Sequence, residues 1–320
     1  MNKKLIAIAV AGALVAPLAA QADVSGFADV VYTATNDANT AAESLFGANG
    51  EVDFTGKSGD VGVRVDLNLS DIGSTNLPVS TGIEQAYMSA PLGPVTLWAG
   101  VFNSPLTADG YDRPDMAFST HSAVFNVAAN EATVNLAGLA ISGMAGPANY
   151  TVAFVNDPGS DGTNNTNSFA VVVNGSVMDG LNAELGYFGQ SDDTAKYTNA
   201  SGAGNITDLN LQYMMDAFNV GLDYATAANI VDSVYSIDAG YDMGNGLTIA
   251  LRYDAAKFAS GTATDDPDAT TVSIGYAMND NMSLTLENTS GTNNDTSGTA
   301  LAATGIADGT VTTLEFLGTF

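Results

Sequence analysis

Residues 103–116 read Asn-Ser-Pro-Leu-Thr-Ala-Asp-Gly-Tyr-Asp-Arg-Pro-Asp-Met, which sets three carboxylates, Asp109, Asp112 and Asp115, around one guanidinium, Arg113. Pro, Gly and Asp each favour turns, so the stretch is a loop. Its chemistry is electrostatic. Laid across a water-filled passage, such a loop supplies fixed charge at a narrow point. Left on a surface, it is a solvated turn in which Arg113 offsets its neighbours. The rest of the chain offers little for covalent catalysis. There is no Cys, and His121 is the sole His. No Gly-x-Ser-x-Gly, His-Glu-x-x-His or phosphate-binding glycine loop occurs, so no enzyme is expected. The acidic stretches 156–161 and 264–268 lack the regular oxygen ligands and closing Glu of a calcium loop, and no metal site or cofactor is expected from them.

Charge narrows the field further. Eight Lys and Arg face 35 Asp and Glu, for a formal net charge of −27 at pH 7. A chain of this sign repels nucleic acid, whose binding proteins neutralise phosphates with basic side chains. It attracts cations, most strongly where a low-dielectric wall focuses the field. Solubility in a salty medium is the plainer account of the same excess.

The elements that carry these charges are strands. Val61 to Leu69 alternate without a break: odd positions are apolar and even ones small, polar or charged, including Arg64 and Asp66. The same period-2 code returns at 218–225, 247–253, 271–278 and 282–287, with no helices to cover the apolar side. Arg64 and Arg252 lie mid-strand on the polar side. An Arg facing lipid near the midplane would cost about 2–4 kcal/mol, so both belong in a wet interior. Glu84, Glu184, Asp208, Asp223, Asp238 and Glu287 share that parity, which predicts a mostly acidic lining relieved by two arginines. Tyr87, Tyr150, Tyr213, Tyr241 and Tyr276 fall on the apolar side, as an aromatic girdle would require. Trp98 is left open between the interior and a subunit contact.

Connections alternate between short turns, such as Asp216-Ala217 and Asp280-Asn281, and long polar stretches at about 35–46, 71–79, 104–119, 157–166, 190–204, 257–268 and 291–307. Tight turns at one end and long loops at the other describe a transmembrane antiparallel β-barrel. Counting from both termini gives about sixteen strands, with one descending strand near 132–143. There Val134 and Leu136 differ in parity from Leu139 and Ile141, and a bulge near Ala137-Gly138 would reconcile them. A further hairpin from Ser122 to Leu136 would instead make eighteen. A secreted, soluble all-β surface or adhesion protein is the alternative architecture.

The chain begins Met1-Asn2-Lys3-Lys4, continues apolar from Leu5 to Ala19, and reaches Ala20-Gln21-Ala22. That is a secretory signal peptide over 1–22, leaving one barrel over 23–320. The chain ends at Phe320, after an alternating stretch.

With the leader, the terminal Phe320 and the block Glu84-Gln85-Ala86-Tyr87 through Leu92-Gly93-Pro94 to Trp98-Ala99-Gly100, the sequence resembles the general trimeric porins of Gram-negative outer membranes. The resemblance implies an outer-membrane homotrimer in contact with lipid, delivered by the outer-membrane assembly machinery, with Phe320 as the assembly signal. It implies a general diffusion channel for small hydrophilic solutes and ions, with the loop after Gly100 folded inward and Asp109, Asp112, Arg113 and Asp115 at its constriction. Glu84 and Val101 stand where the family commonly has arginines, which favours cations over anions. A substrate-selective channel is the alternative function.

Overall fold

The computed structural model describes residues 23–37, 43–70, 80–106, 112–128, 135–157, 167–191, 204–259, 263, 266–295 and 298–320. The proposed leader, Asp109 and Val134 lie outside them. Sixteen antiparallel strands follow one another: β1 (Asp23–Asp37), β2 (Glu43–Ser58), β3 (Val61–Ser70), β4 (Ser80–Leu92), β5 (Val95–Asn103), β6 (Asn135–Ala145), β7 (Ala148–Asn156), β8 (Asn167–Met178), β9 (Leu181–Gly189), β10 (Ile206–Met215), β11 (Phe218–Ala227), β12 (Val231–Gly244), β13 (Leu247–Phe258), β14 (Asp268–Asn279), β15 (Met282–Thr292) and β16 (Gly309–Thr319). Each pairs with its neighbours in sequence, and β16 returns to β1 to close the barrel, from Phe27 opposite Thr319 to Asp37 opposite Gly309. Closure leaves no edge strand, which a sheet in lipid requires. Phe320 adds the last bonds of the seam, exchanging backbone hydrogen bonds with Gly26 at 3.1 and 3.2 Å.

The outer surface is apolar. Ile83, Met88, Leu139, Leu185, Leu251 and Phe316 are between 45 % and 68 % exposed. A patch of that extent cannot face water in a stable monomer. It suits lipid, and the soluble surface-protein alternative falls with it. Tyr213, Tyr241 and Tyr276 join this face.

Three expectations need correction. No bulge interrupts β5 against β6: the register runs unbroken from Val95 opposite Gly143 to Asn103 opposite Asn135. Leu136 points inward and is buried, while Leu139 and Ile141 point out. The parity changes because part of the interior is itself apolar. The extra hairpin is also absent, since Ala123–Ala128 form a short helix, α1, inside the barrel. Finally, short and long connections do not strictly alternate. Residues 228–230 join β11 to β12 in a tight turn, with Ile230 N–H donating to the Ala227 carbonyl at 3.0 Å. At the other end the turns are as short as expected. Asn245 and Gly246 both take left-handed conformations, φ 55° and 79°, which matches the twist of a two-residue hairpin.

Candidate constriction inside the barrel

The chain leaving β5 turns into the barrel. Leu106, fully buried, rests against Gly186 of β9. From Asp112 the segment meets the opposite wall. Arg113 opens a single 3-10 turn, Arg113–Asp115. Its Nε donates to Glu315 Oε1 of β16 at 2.6 Å, its Nη2 to Glu315 Oε2, and its Nη1 to the Phe118 carbonyl. Two parallel bonds between a planar guanidinium and a carboxylate fix direction as well as position. Further on, Ser119 N–H donates to Glu287 of β15 at 2.7 Å, and Thr120 Oγ1 donates to the same carboxylate. Arg252 of β13 reaches the Thr120 and His121 carbonyls at 2.8 and 3.1 Å and is held by Asp254 at 2.8 Å. Its guanidinium carbon lies 4.5 Å from the centre of the Phe118 ring.

Beyond these polar anchors, α1 seats on an apolar part of the interior. Val124 and Ala128 are fully buried in a cluster with Leu136, Ala153, Ala170, Ile206, Ala225 and Val234. A second short helix, α2 (Thr299–Thr304), closes over it with Ala300 and Ala303. Small side chains on the wall leave room for a helix inside, and fully burying a Val stabilises by about 1.5–3 kcal/mol relative to exposing it.

The predicted inner-face residues all point inward, but they divide in two. Asp66, Asp208, Asp223, Arg252 and Glu287 are buried. Of these, Arg252 and Glu287 anchor the inward segment rather than meeting open water. Glu84, Glu184, Asp238 and Arg64 are half-buried. Glu184 accepts from Asn174 Nδ2 at 3.0 Å, and Asp238 stands opposite Arg252 in the β12–β13 register. Asp115 is exposed.

Around Arg64 the structure gathers residues from β2, β3, β4 and the inward segment. Arg64 Nε donates to both oxygens of Asp66 at 2.7 and 2.8 Å. Its Nη2 lies 3.7 Å from Asp53 of β2 and 3.9 Å from Asp112 on the inward segment. Gln85 Nε2 donates to Asp66 at 2.6 Å. Between Asp66 and Leu67 the β3–β4 register shifts by one, leaving Glu84 as the extra residue of a bulge. Both Glu84 and Gln85 therefore reach inward, and Glu84 accepts from Asn68 Nδ2 at 3.0 Å. The bulge also overturns one expectation. Tyr87 faces the interior, packed on Trp98 with ring centres 5.0 Å apart, and Trp98 Nε1 donates to Ser142 at 2.9 Å. Glu51 and Asp53 complete the group, and sequence reasoning missed both. Burial, then the neighbouring Glu84 charge, pushes the Asp112 carboxyl up to about 6, although Arg64 pulls it down.

Solved structures share the barrel fold. The chain is similar to Salmonella typhi OmpF in complex with daunomycin at 12% identity and a TM-score of 0.70, covering 93% of this chain and 97% of that one. Pseudomonas putida OprB gives 11% and 0.68 over 94% of each. A mutant Rh. blastica porin gives 16% and 0.62 over 93% and 100%. At such identities the likeness speaks for the fold alone. No curated protein matches the chain in sequence. A sequence model of the Gram-negative porins does, across residues 5–307. A match of that extent places the chain in the Gram-negative porin family, as a channel of the outer membrane.

Proposed function

We propose that this outer-membrane diffusion channel is a general porin that prefers cations, with its constriction between the inward segment and the β2–β4 wall. One observation carries the reading. Arg113 and Arg252 each sit on one carboxylate, Glu315 and Asp254, whereas Arg64 stands alone among Asp53, Asp66 and Asp112 with Glu84 beside them, so carboxylates outnumber guanidiniums next to the segment. A water-filled passage past such a group concentrates cations, and salt screens the effect. Asp112 and Arg113 set the segment's position, and Asp109 and Asp115 add charge along it. The chain works as a homotrimer in lipid, exported with residues 1–22 as its leader and delivered by the assembly machinery through its terminal Phe320. It performs no catalysis.

Reversal potential across a planar bilayer under a KCl gradient, with EDTA present, tests the preference. A potassium-selective sign is expected, strongest at low ionic strength and weakened when Asp109, Asp112 and Asp115 are changed together to Asn. A chloride-selective sign defeats it. The inward pair Tyr87 and Trp98 favours a second reading, a channel selective for one sugar, because aromatic faces suit sugar rings. Liposome swelling with sugars of equal size separates the two: equal rates support the general pore, and one outlier supports selectivity.

A further inference from the structure

Glu51, Glu84 and Asp112 come from β2, the β4 bulge and the inward segment, and no part of the backbone joins them locally. One carboxylate oxygen of each lies within 4.8 Å of the others. That span is the diameter of a sphere on which oxygens sit about 2.3–2.6 Å from a central ion, the calcium–oxygen distance. Glu51 is only 2 % exposed, and its Oε1 receives no hydrogen bond. The carboxylates gathered around it, Asp53, Asp66, Glu84 and Asp112, are acceptors like itself and cannot donate to it while ionised. A buried acceptor left this way is costly unless a proton or a cation lies between the groups.

A second trio, Glu51, Asp53 and Asp66, overlaps the first. It is the weaker candidate, because Arg64 and Gln85 already occupy Asp66, and Ser25 Oγ donates to Asp53 at 3.1 Å. In the first trio Glu84 is oriented by the Asn68 amide, 3.0 Å away, and keeps lone pairs for a further partner. All donors are oxygens, which selects a hard cation.

We propose that Glu51, Glu84 and Asp112 bind one divalent cation of the calcium type, tying the inward segment to the barrel wall. The site rests on the constriction reading only for its effect on conduction: an occupied site removes excess negative charge and lowers potassium preference. Binding itself is independent of conduction.

The test is calorimetric titration of calcium chloride into the metal-stripped, detergent-folded protein. One saturable site per chain is expected. Glu51→Gln and Asp112→Asn should each weaken it about tenfold or more, since affinity follows the count of charged ligands. Asp179→Asn, in the exposed β8–β9 turn, should leave it unchanged. Glu51→Gln alters a strand, so its folding is checked by heat-modifiable migration, while Asp112→Asn lies outside every strand. No saturable binding overturns the proposal, as does equal binding in both variants, which would assign the cluster to shared protons. Reversal potentials in EDTA keep the two readings apart. Potassium selectivity without calcium binding removes the metal site alone. Chloride selectivity with calcium binding intact removes the cation-preferring channel alone.

Discussion

Arg113 and Glu315 form a two-bond ion pair across 202 residues of chain, joining the inward segment to the last strand. Glu315 is 1% exposed at its side chain and Arg113 16%, so the segment shields the carboxylate from water and leaves the guanidinium mostly covered. The link runs through the seam where the barrel closes, since β16 also pairs with β1.

Arg113→Met should therefore do two things. Removing one partner of a buried pair leaves an uncompensated charge, which costs about 3–5 kcal/mol. Unfolding in urea should shift accordingly, and Arg113→Met with Glu315→Gln should recover part of the loss. In folded channels of the single variant, the freed segment should admit larger sugars in liposome swelling. Unchanged stability together with an unchanged size limit would show that the fork holds nothing.

Asp112 gives a pH dependence. Its carboxyl is pushed up to about 6, so it is neutral below that pH and charged above it. Potassium preference in EDTA should rise as pH increases through about 6 and fall as it decreases. Asp112→Asn should flatten that step while leaving any change near pH 4 from ordinary carboxylates. A step of equal size in the variant would assign it to another group.

Gly100 explains part of the block that resembled the family. It has φ 137° and lies where β4, β5 and β6 meet. A Cβ there would run into the Ala86 carbonyl and stand 2.6 Å from Tyr87 Cα, both backbone atoms that cannot move aside. Gly100→Ala should lose about 1–3 kcal/mol through strain alone. Gly47→Ala is the matched control, because nothing lies within 4 Å of its added Cβ. Heat-modifiable migration should show a depleted folded band for the first and not for the second.

The barrel was legible because lipid and water write a period of 2 into each strand. What defeated the reading was local. Strict alternation through Glu84 puts Tyr87 in lipid, and a one-residue bulge reverses the faces beyond it. Leu136 misled in the opposite way, being apolar yet inward, because the interior opposite α1 is a core rather than a channel wall. Glu51 and Asp53 had a signal: they alternate with Val52 and Phe54, as Arg64 and Asp66 do with Val63 and Val65. Treating 35–46 as one loop hid where β2 begins, at Glu43. The pairing of Arg113 with Glu315 had none, since nothing local to either residue names the other.

The apolar seat of α1 is the feature that most separates the barrel from its contents. Val124 is fully buried against the inner wall, yet it belongs to no strand and makes no ladder hydrogen bond. Val124→Asp places a charge in that seat, and the inward segment should detach locally while the sixteen-strand ladder persists. The folded band should survive heat-modifiable migration, whereas single-channel conductance should increase and become noisier than in the unmodified channel. A matched change on the hull, Leu185→Ala, removes apolar area from the lipid face and should leave conductance alone. Loss of the folded band in Val124→Asp would mean that the interior cluster is needed to build the barrel, not only to hold what lies inside it.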